Sequence, residues 1–313
     1  MNLSKAMEEF LNNCEYTSMS ERTVKSYKNN NKALVDYIEK RFNIVDINEV
    51  DHTHIQAFLK FKKDEGLKES YINNLLKCHR AFFSYCVNFE LIKNNPCMKI
   101  YWQKEPKTLI KPFNDEEVIR IKDVYDFSSY LKARNKTIIM FLIETGARCF
   151  EICSLKEKDI YGDKIKIMGK GNKERLVPLS DDLKECMRKY YILRKNYFNK
   201  VEIKDDNYFL SNRGKVLTVN MIEKIVGDAG ECANVRKEIR CSPHTFRHYY
   251  AQTMIRLTKD IYDLARVLGH ESIEITRRYL QSMEDEEIVK NFANMSPSKY
   301  LRELMQQPNI ALT

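Results

Sequence analysis

KIKIMGKGNKERLVPL, residues 164–179, is the stretch that decides how the chain is built. KIKIM (164–168) alternates polar and apolar residues, and ERLVPL (174–179) reads as its partner strand. The turn between them, GKGNK (169–173), carries two glycines. A period of two leading into a glycine-rich turn, with a second short run rich in apolar residues after it, predicts a β-hairpin. Nearly everything else reads as helix. The fold class expected is therefore mainly α with a small β-sheet.

Upstream of the hairpin, TIIMFLIETG (137–146) predicts a mostly buried helix that stops at Gly146. Asn114 is placed to cap a helix through DEEVIRIKDVYDF, with Asp115, Glu116 and Glu117 in the first turn, where the helix dipole favours negative charge. Before it, KEPKTLIKPF (104–113) is basic, holds two prolines and shows no period. It predicts a linker. The first hundred residues predict a bundle of about four helices. Ser20 would cap one through Phe42, a second would run from near Thr53 to Gly66, and a third would fill 70–90. Downstream of the hairpin the pattern is mainly helical, with one possible strand at NYFLS (207–211). The boundaries expected are a helical domain at 1–103, a linker at 104–113 and a second, mixed domain at 114–313.

Composition limits the function classes. No apolar run approaches the ~18–20 residues that cross a bilayer, and MNLSKAMEEF lacks the apolar core of a secretory signal. A cytoplasmic location is expected, with no membrane partner. The nine cysteines are odd in number and form no CxxC pair, which predicts free thiols. A formal charge of +9 points weakly to a polyanionic partner.

Only six histidines occur, and two of them sit in HTFRH (244–248) beside Arg247. His244 and His248 are four apart, a spacing found in zinc sites, but Thr245 stands where the HExxH pattern needs its glutamate. No metal is expected, and His248 reads as structural. His244 and Arg247, three apart on a helix begun by Pro243, share a face. Taken with TGARCFEI (145–152), GKGNK (169–173) and LGHESIEITRRYL (268–280), they assemble two arginines, a lysine, two histidines and a tyrosine. Phosphodiester transesterification needs such a set. A tyrosine hydroxyl attacks phosphorus, arginine forks offset the charge of the pentacoordinate transition state, and a lysine protonates the departing sugar oxygen. The bond energy stays in the phosphotyrosine, so no cofactor is called for.

TGAR-x-x-E-I, GKGNKERLVPL, HTFRH, LGHESIEITRRY and the N-terminal TVKSY segment, in this order and spacing, resemble the tyrosine recombinases, the family of phage integrases and Xer recombinases. The resemblance implies an N-terminal SAM-like helical core-binding domain and a C-terminal α+β catalytic domain. It implies that Arg148 and Arg247 bind the scissile phosphate and that Lys170, ahead of its neighbour Lys173, is the general acid. His244 would serve as acid/base, His270 would hydrogen-bond the phosphate, Glu151 would support the site, and Tyr279 would be the nucleophile. Ala147, Phe150 and Phe246 depart from the usual family residues at positions read as packing. The partners implied are duplex DNA sites bound by a homotetramer, with an accessory protein possible, and exchange through a Holliday junction. PSKYLRELMQQ (297–307), after Ser296, would form a C-terminal oligomerisation helix. Phosphate contacts are expected from Lys25, Lys28 and Lys32 on one helical stripe, from Lys77 and Arg80 on another, and from Lys173. The chain begins close to the helical bundle, so a two-domain recombinase without an arm-binding domain is expected.

The biological use expected is integration or transposition of a mobile element. The alternative is Xer-type resolution of chromosome or plasmid dimers. Two other classes stay open: a type IB topoisomerase, which shares the chemistry, and a DNA-binding regulator without catalysis.

Overall fold

The computed structural model describes residues 1–106, 111–169, 173–200 and 202–280, except the side chains of Arg278 and Leu280. Lys170 and the 296–307 segment lie outside the described residues. The chain divides into two compact units, Met1–Thr108 and Leu109–Thr313.

The first unit is a helical bundle. Helix α1 (Leu3–Tyr16) buries Leu3, Ala6, Met7, Phe10, Leu11 and Cys14, one stripe at helical spacing. Helix α2 (Glu21–Phe42) is capped by the Ser20 hydroxyl, which accepts from the amide of Thr23, and ends at Asn43 in the left-handed region. Helix α3 (His52–Asp64) starts at a capping box between Asp51 and His54. Helix α4 (Glu69–Asn88) buries Leu75, Leu76, Phe82, Phe83 and Cys86 against the other helices. It also buries His79 completely, with Nδ1 2.9 Å from Oδ1 of the buried Asn31. The chain after α4 is strapped to it. Arg80 donates to the carbonyl of Ile100 at 2.6 Å and stacks on Trp102, while Asn73 bonds both backbone groups of Gln103.

The second unit is built around α6 (Tyr130–Thr145), which is buried on nearly every side. It packs against α5 (Asp115–Lys122), α8 (Asp181–Phe198), α9 (Val219–Cys232) and α10 (Pro243–Thr258). Helix α6 starts seven residues before the predicted segment, at a Ser129 cap, because the polar residues of its first two turns hid its apolar period. Gly146 ends it at φ +56°, and a Cβ there would lie 2.6 Å from the Tyr250 ring. The short helix α7 (Cys149–Ser154) follows at once.

The hairpin forms as predicted. Strand β2 (Lys164–Met168) pairs antiparallel with β3 (Glu174–Pro178), and a two-residue strand, β1 (Ile160–Tyr161), extends the sheet in the order β1-β2-β3. Ile165, Ile167 and Val177 face the core. NYFLS (207–211) is not a strand. It makes only isolated bridges, Lys156 to Asn207 and Leu210 to Val216. Its backbone finds other partners: the amide of Tyr208 donates to Leu155 O, and Leu210 O accepts from Tyr130 and Arg134. Its apolar run is core packing for Tyr208, Phe209 and Leu210. Helices α11 (Ile261–Leu268) and α12 (Ile273–Leu280) complete the described chain. Among the described residues no helix is long and apolar enough to cross a membrane.

Candidate active site

Two sharp chain reversals present the site. Gly146 turns the backbone so that Arg148 becomes the N-cap of α7, and Gly269, at φ +65°, turns it so that His270 follows directly on α11. The three carbonyls at that second reversal anchor three arginines. Val267 O accepts from Arg175 Nε at 2.8 Å, Leu268 O from Arg247 Nη2 at 2.7 Å, and the Arg148 guanidinium reaches Leu268 O and Gly269 O at 3.5 Å. A helix C-terminus leaves its last carbonyls unpaired and carries partial negative charge, so it suits cations.

Arg247 lies on α10 and is 2% exposed. Nη1 donates to Gly146 O at 2.7 Å, and Nη2 donates to Leu268 O and to Nε2 of His270, the latter at 2.8 Å. Burial and the nearby Arg148 lower its pKa, and the Tyr279 phenol, within hydrogen-bonding reach, opposes that shift. Since an arginine stays protonated, Nε2 of His270 must be the acceptor. Nδ1 of His270 then carries the ring proton and donates to Thr276 Oγ1 at 2.7 Å. Burial, with the charges of Arg247, Arg148 and Arg175, drives the His270 pKa down to about 3. The ring is neutral at physiological pH.

Glu151, on α7, is the carboxylate of the site. Oε1 accepts from Arg148 Nη1 at 2.9 Å and Arg175 Nη1 at 2.8 Å. Oε2 accepts from the Arg148 amide at 2.8 Å and Arg175 Nη2 at 2.6 Å. Burial works against its charge, but Arg175 first and Arg148 second outweigh it and hold the carboxyl below its usual range.

Tyr279, on α12, is 4% exposed. Its ring lies 5.7 Å from that of His270, nearly parallel, and 4.3 Å from that of His248, edge on. Gln252 Nε2 donates to its carbonyl at 3.2 Å. His248 is thus packed, as its sequence reading has it, but packed on Tyr279. Its Nε2 is 3.2 Å from Nε2 of His244, and its Nδ1 is buried without a partner. Burial, with His244 and Arg247, takes the His248 pKa down to about 4. The crowded surroundings of the His244 ring, then Arg247, Arg148 and Arg240, lower its pKa also, although part of the ring meets solvent.

A cleft of about 830 Å³ opens beside Arg148, Arg175, Gly269 and His270, with Lys173 on its rim. Lys173 is exposed and pairs with Glu271 at 3.0 Å. Arg148, Glu151, Arg247, His270 and Tyr279 are therefore joined by contacts, and His244 reaches Tyr279 through His248. Lys170 lies outside the described residues. Among the described residues no group of three or more His, Cys, Asp or Glu could hold a metal ion. Arg175 and Thr276 escaped the sequence reading. The signal for Arg175 was its place two residues before the core-facing Val177, on the same face of β3, where a charge needs a partner. Phe150, read as a packing position, is 67% exposed, whereas Ala147 and Phe246 are fully buried. Phe150 falls on the outer side of α7, away from the face that carries Glu151.

In the first unit Lys25, Lys28, Lys32 and Lys77 are exposed. Arg80 is half-buried and bonded to Ile100 and Trp102.

The profile of the "Phage integrase family" matches residues 116–286, and that of the "Phage integrase, N-terminal SAM-like domain" matches residues 7–88. Among curated relatives, tyrosine recombinase XerD of Oceanobacillus iheyensis is 28% identical over 280 residues, 88% of this chain and 93% of its own. XerD of Listeria monocytogenes serotype 4b is 27% identical over 263 residues, 83% and 88% of the two chains. Among solved structures, XerH recombinase in a post-cleavage complex with palindromic difH substrate has a TM-score of 0.70 at 24% identity, covering 87% of this chain and 79% of that one. A lambda integrase dimer bound to a COC′ core site has a TM-score of 0.71 at 15% identity, covering 90% and 78%. The chain belongs to the phage integrase family and is a tyrosine recombinase.

Proposed function

We propose that this recombinase cleaves and rejoins duplex DNA through Tyr279. The phenol oxygen attacks the scissile phosphorus, the bond to the 5′ oxygen breaks, and a 3′-phosphotyrosine forms. Arg148 and Arg247 offset the charge on the non-bridging oxygens, and His270 adds a hydrogen bond to one of them. His244 takes the phenol proton, and Lys170 returns a proton to the departing 5′ oxygen. A free 5′-hydroxyl of a second strand reverses the step, and paired exchanges pass through a Holliday junction. The observation that carries this reading is the convergence of Arg247 from α10, His270 from the turn after α11 and Tyr279 from α12 on one cluster of contacts.

In this reading residues 1–103 form the core-binding domain, 104–113 the linker and 114–313 the catalytic domain with its oligomerisation helix. Lys25, Lys28, Lys32 and Lys77 contact phosphates, the active assembly is a homotetramer on two sites, and an accessory protein can join it. The reaction takes place in the cytoplasm, on the nucleoid.

Incubation with nicked suicide duplexes drawn from the DNA flanking the gene tests the reading. A covalent protein–DNA adduct is expected from the wild-type chain and none from Tyr279→Phe. Capture by that variant would mean a different nucleophile. Relaxation of plasmids without any preferred site would favour the topoisomerase reading instead.

For biological use, the near full-length likeness to XerD chains favours Xer-type dimer resolution over integration of a mobile element. Recombination of two chromosomal sites in the absence of any element end would support resolution. Dependence on element ends would support integration.

A further inference from the structure

We propose that Arg175 is a positioning residue for DNA cleavage, keeping the Arg148 guanidinium available to the phosphate by occupying Glu151. The inference rests on the reading of Arg148 given above and adds to it a residue that makes no contact with the reacting atoms.

The geometry is a competition for one carboxylate. Ionised, Glu151 offers about four lone-pair sites. Four donors fill them: two from the Arg175 fork, one from the Arg148 amide and one from the Arg148 guanidinium. The two Arg175 bonds form the parallel fork in which arginine binds carboxylate most strongly. Arg148 is thereby held through Nη1 alone on this side, and its side chain stays 39% exposed beside the cleft. Its remaining contacts, to Leu268 O and Gly269 O, are long.

Remove Arg175 and a buried carboxylate, only 2% exposed, is left with Arg148 as its one cationic partner. A buried charge does not stay half-neutralised. Either Arg148 swings into a fork-to-fork pair with Glu151 and turns from the cleft, or Glu151 takes up a proton and loosens its hold on Arg148. Both outcomes misplace the group that must meet the developing charge.

Arg175 also sets the distance between two elements. Its fork reaches α7 and its Nε reaches Val267 O at the end of α11, so β3 is tied to both the Arg148 turn and the His270 turn. It lies flat on the second reversal. A Cβ on Gly269 would sit 3.0 Å from Arg175 Cδ and 3.1 Å from Nη1.

The test uses the full-length chain and the same suicide duplexes in single-turnover cleavage. Arg175→Lys keeps a positive charge but cannot form the fork, and Arg175→Ala removes both. Each is expected to bind the duplex within about threefold of wild type and to cleave it ~10²-fold more slowly, the scale of losing one preorganised donor. In an Arg148→Ala background the same substitutions are expected to change the rate by no more than about threefold, because groups that act as a unit are not additive. A duplex whose scissile phosphate is replaced by a methylphosphonate carries no charge for Arg148 to offset. It is expected to relieve Arg148→Ala and Arg175→Lys alike. A purely structural role for Arg175 would give additive losses, no relief by the methylphosphonate and a matching fall in melting temperature; that result overturns the proposal. If Arg175→Ala does not fold, Arg175→Lys alone decides between these outcomes. A wild-type chain that forms no adduct on any duplex overturns the reading of the site and this inference with it, whereas adduct formation with additive losses overturns only the inference.

Discussion

The Nη2 atom of Arg247 donates to Nε2 of His270 at 2.8 Å, and this one contact fixes which nitrogen of the imidazole carries the proton. His270 is expected to remain neutral, protonated on Nδ1, from neutral pH down to near its lowered pKa of about 3. ¹⁵N–¹H correlation spectra of the imidazole check this. A His270 that titrates near ~6.5, the ordinary histidine value, would contradict the arrangement. Arg247→Met is expected to raise its pKa, since the largest positive neighbour is gone.

His248 separates packing from chemistry. His248→Ala leaves a hole against Tyr279, and unfolding by denaturant is expected to show a loss of about 2–4 kcal/mol, the range of large-to-small core substitutions. His248→Phe refills the hole and should recover most of that stability. It cannot bond His244, so the pH profile of cleavage should still differ from wild type. An unchanged profile would mean that His248 only fills space.

His79 makes the first unit acid-sensitive. Burial lowers its pKa to about 3, below the 6.5 of the free side chain. The unfolded chain therefore binds the proton that the folded chain refuses. The stability His79 contributes is present above pH 6.5 and is lost as pH falls toward 3. At ~1.36 kcal/mol per pH unit, this one group accounts for about 2 kcal/mol by pH 5. Melting curves of wild type and His79→Leu between pH 8 and pH 4 check it: the variant should show the flatter dependence below pH 6.5.

The exposed lysines of α2 should tune affinity and leave the chemistry alone. Replacing Lys25, Lys28 and Lys32 together by alanine is expected to reduce the slope of log affinity against log salt by up to ~3, about 0.9 for each phosphate that is no longer neutralised. The single-turnover rate of the bound complex should not move. An unchanged salt slope would assign these lysines to a solvated face.

Gly146→Ala strains the turn that presents Arg148. A left-handed backbone angle and a Cβ 2.6 Å from the Tyr250 ring are expected together to lower stability by about 2 kcal/mol or more in thermal unfolding.

Much of the site was legible because its signals are local. Gly146 and Gly269 announce helix ends, Pro243 announces a start, and the spacing of three between His244 and Arg247 puts them on one face. The hairpin was legible through the alternation of KIKIM and the glycine-rich turn after it, since β2 and β3 are close in the chain. NYFLS misled because burial on all sides erases period, and a short apolar run (Tyr208, Phe209, Leu210) fits a strand or a core-filling loop equally well. The start of α6 was lost for a related reason: between its cap, Ser129, and the apolar run from Ile138, the polar Lys132, Arg134, Asn135 and Lys136 break up the apolar residues.

By itself the sequence determined the helical class, the hairpin, the turns that expose Arg148 and His270, and the residue types that the chemistry needs. These follow from short-range geometry, where neighbours in the chain are neighbours in space. Only the tertiary structure decided that Glu151 is shared between Arg148 and Arg175, that three arginines meet the end of one helix, and that His248 packs on Tyr279. Apart from the local bond between Arg148 and Glu151, those contacts join groups 21 to 121 residues apart. Which carbonyl or carboxylate a long cation reaches depends on how the helices close around a common core, and no periodicity records that.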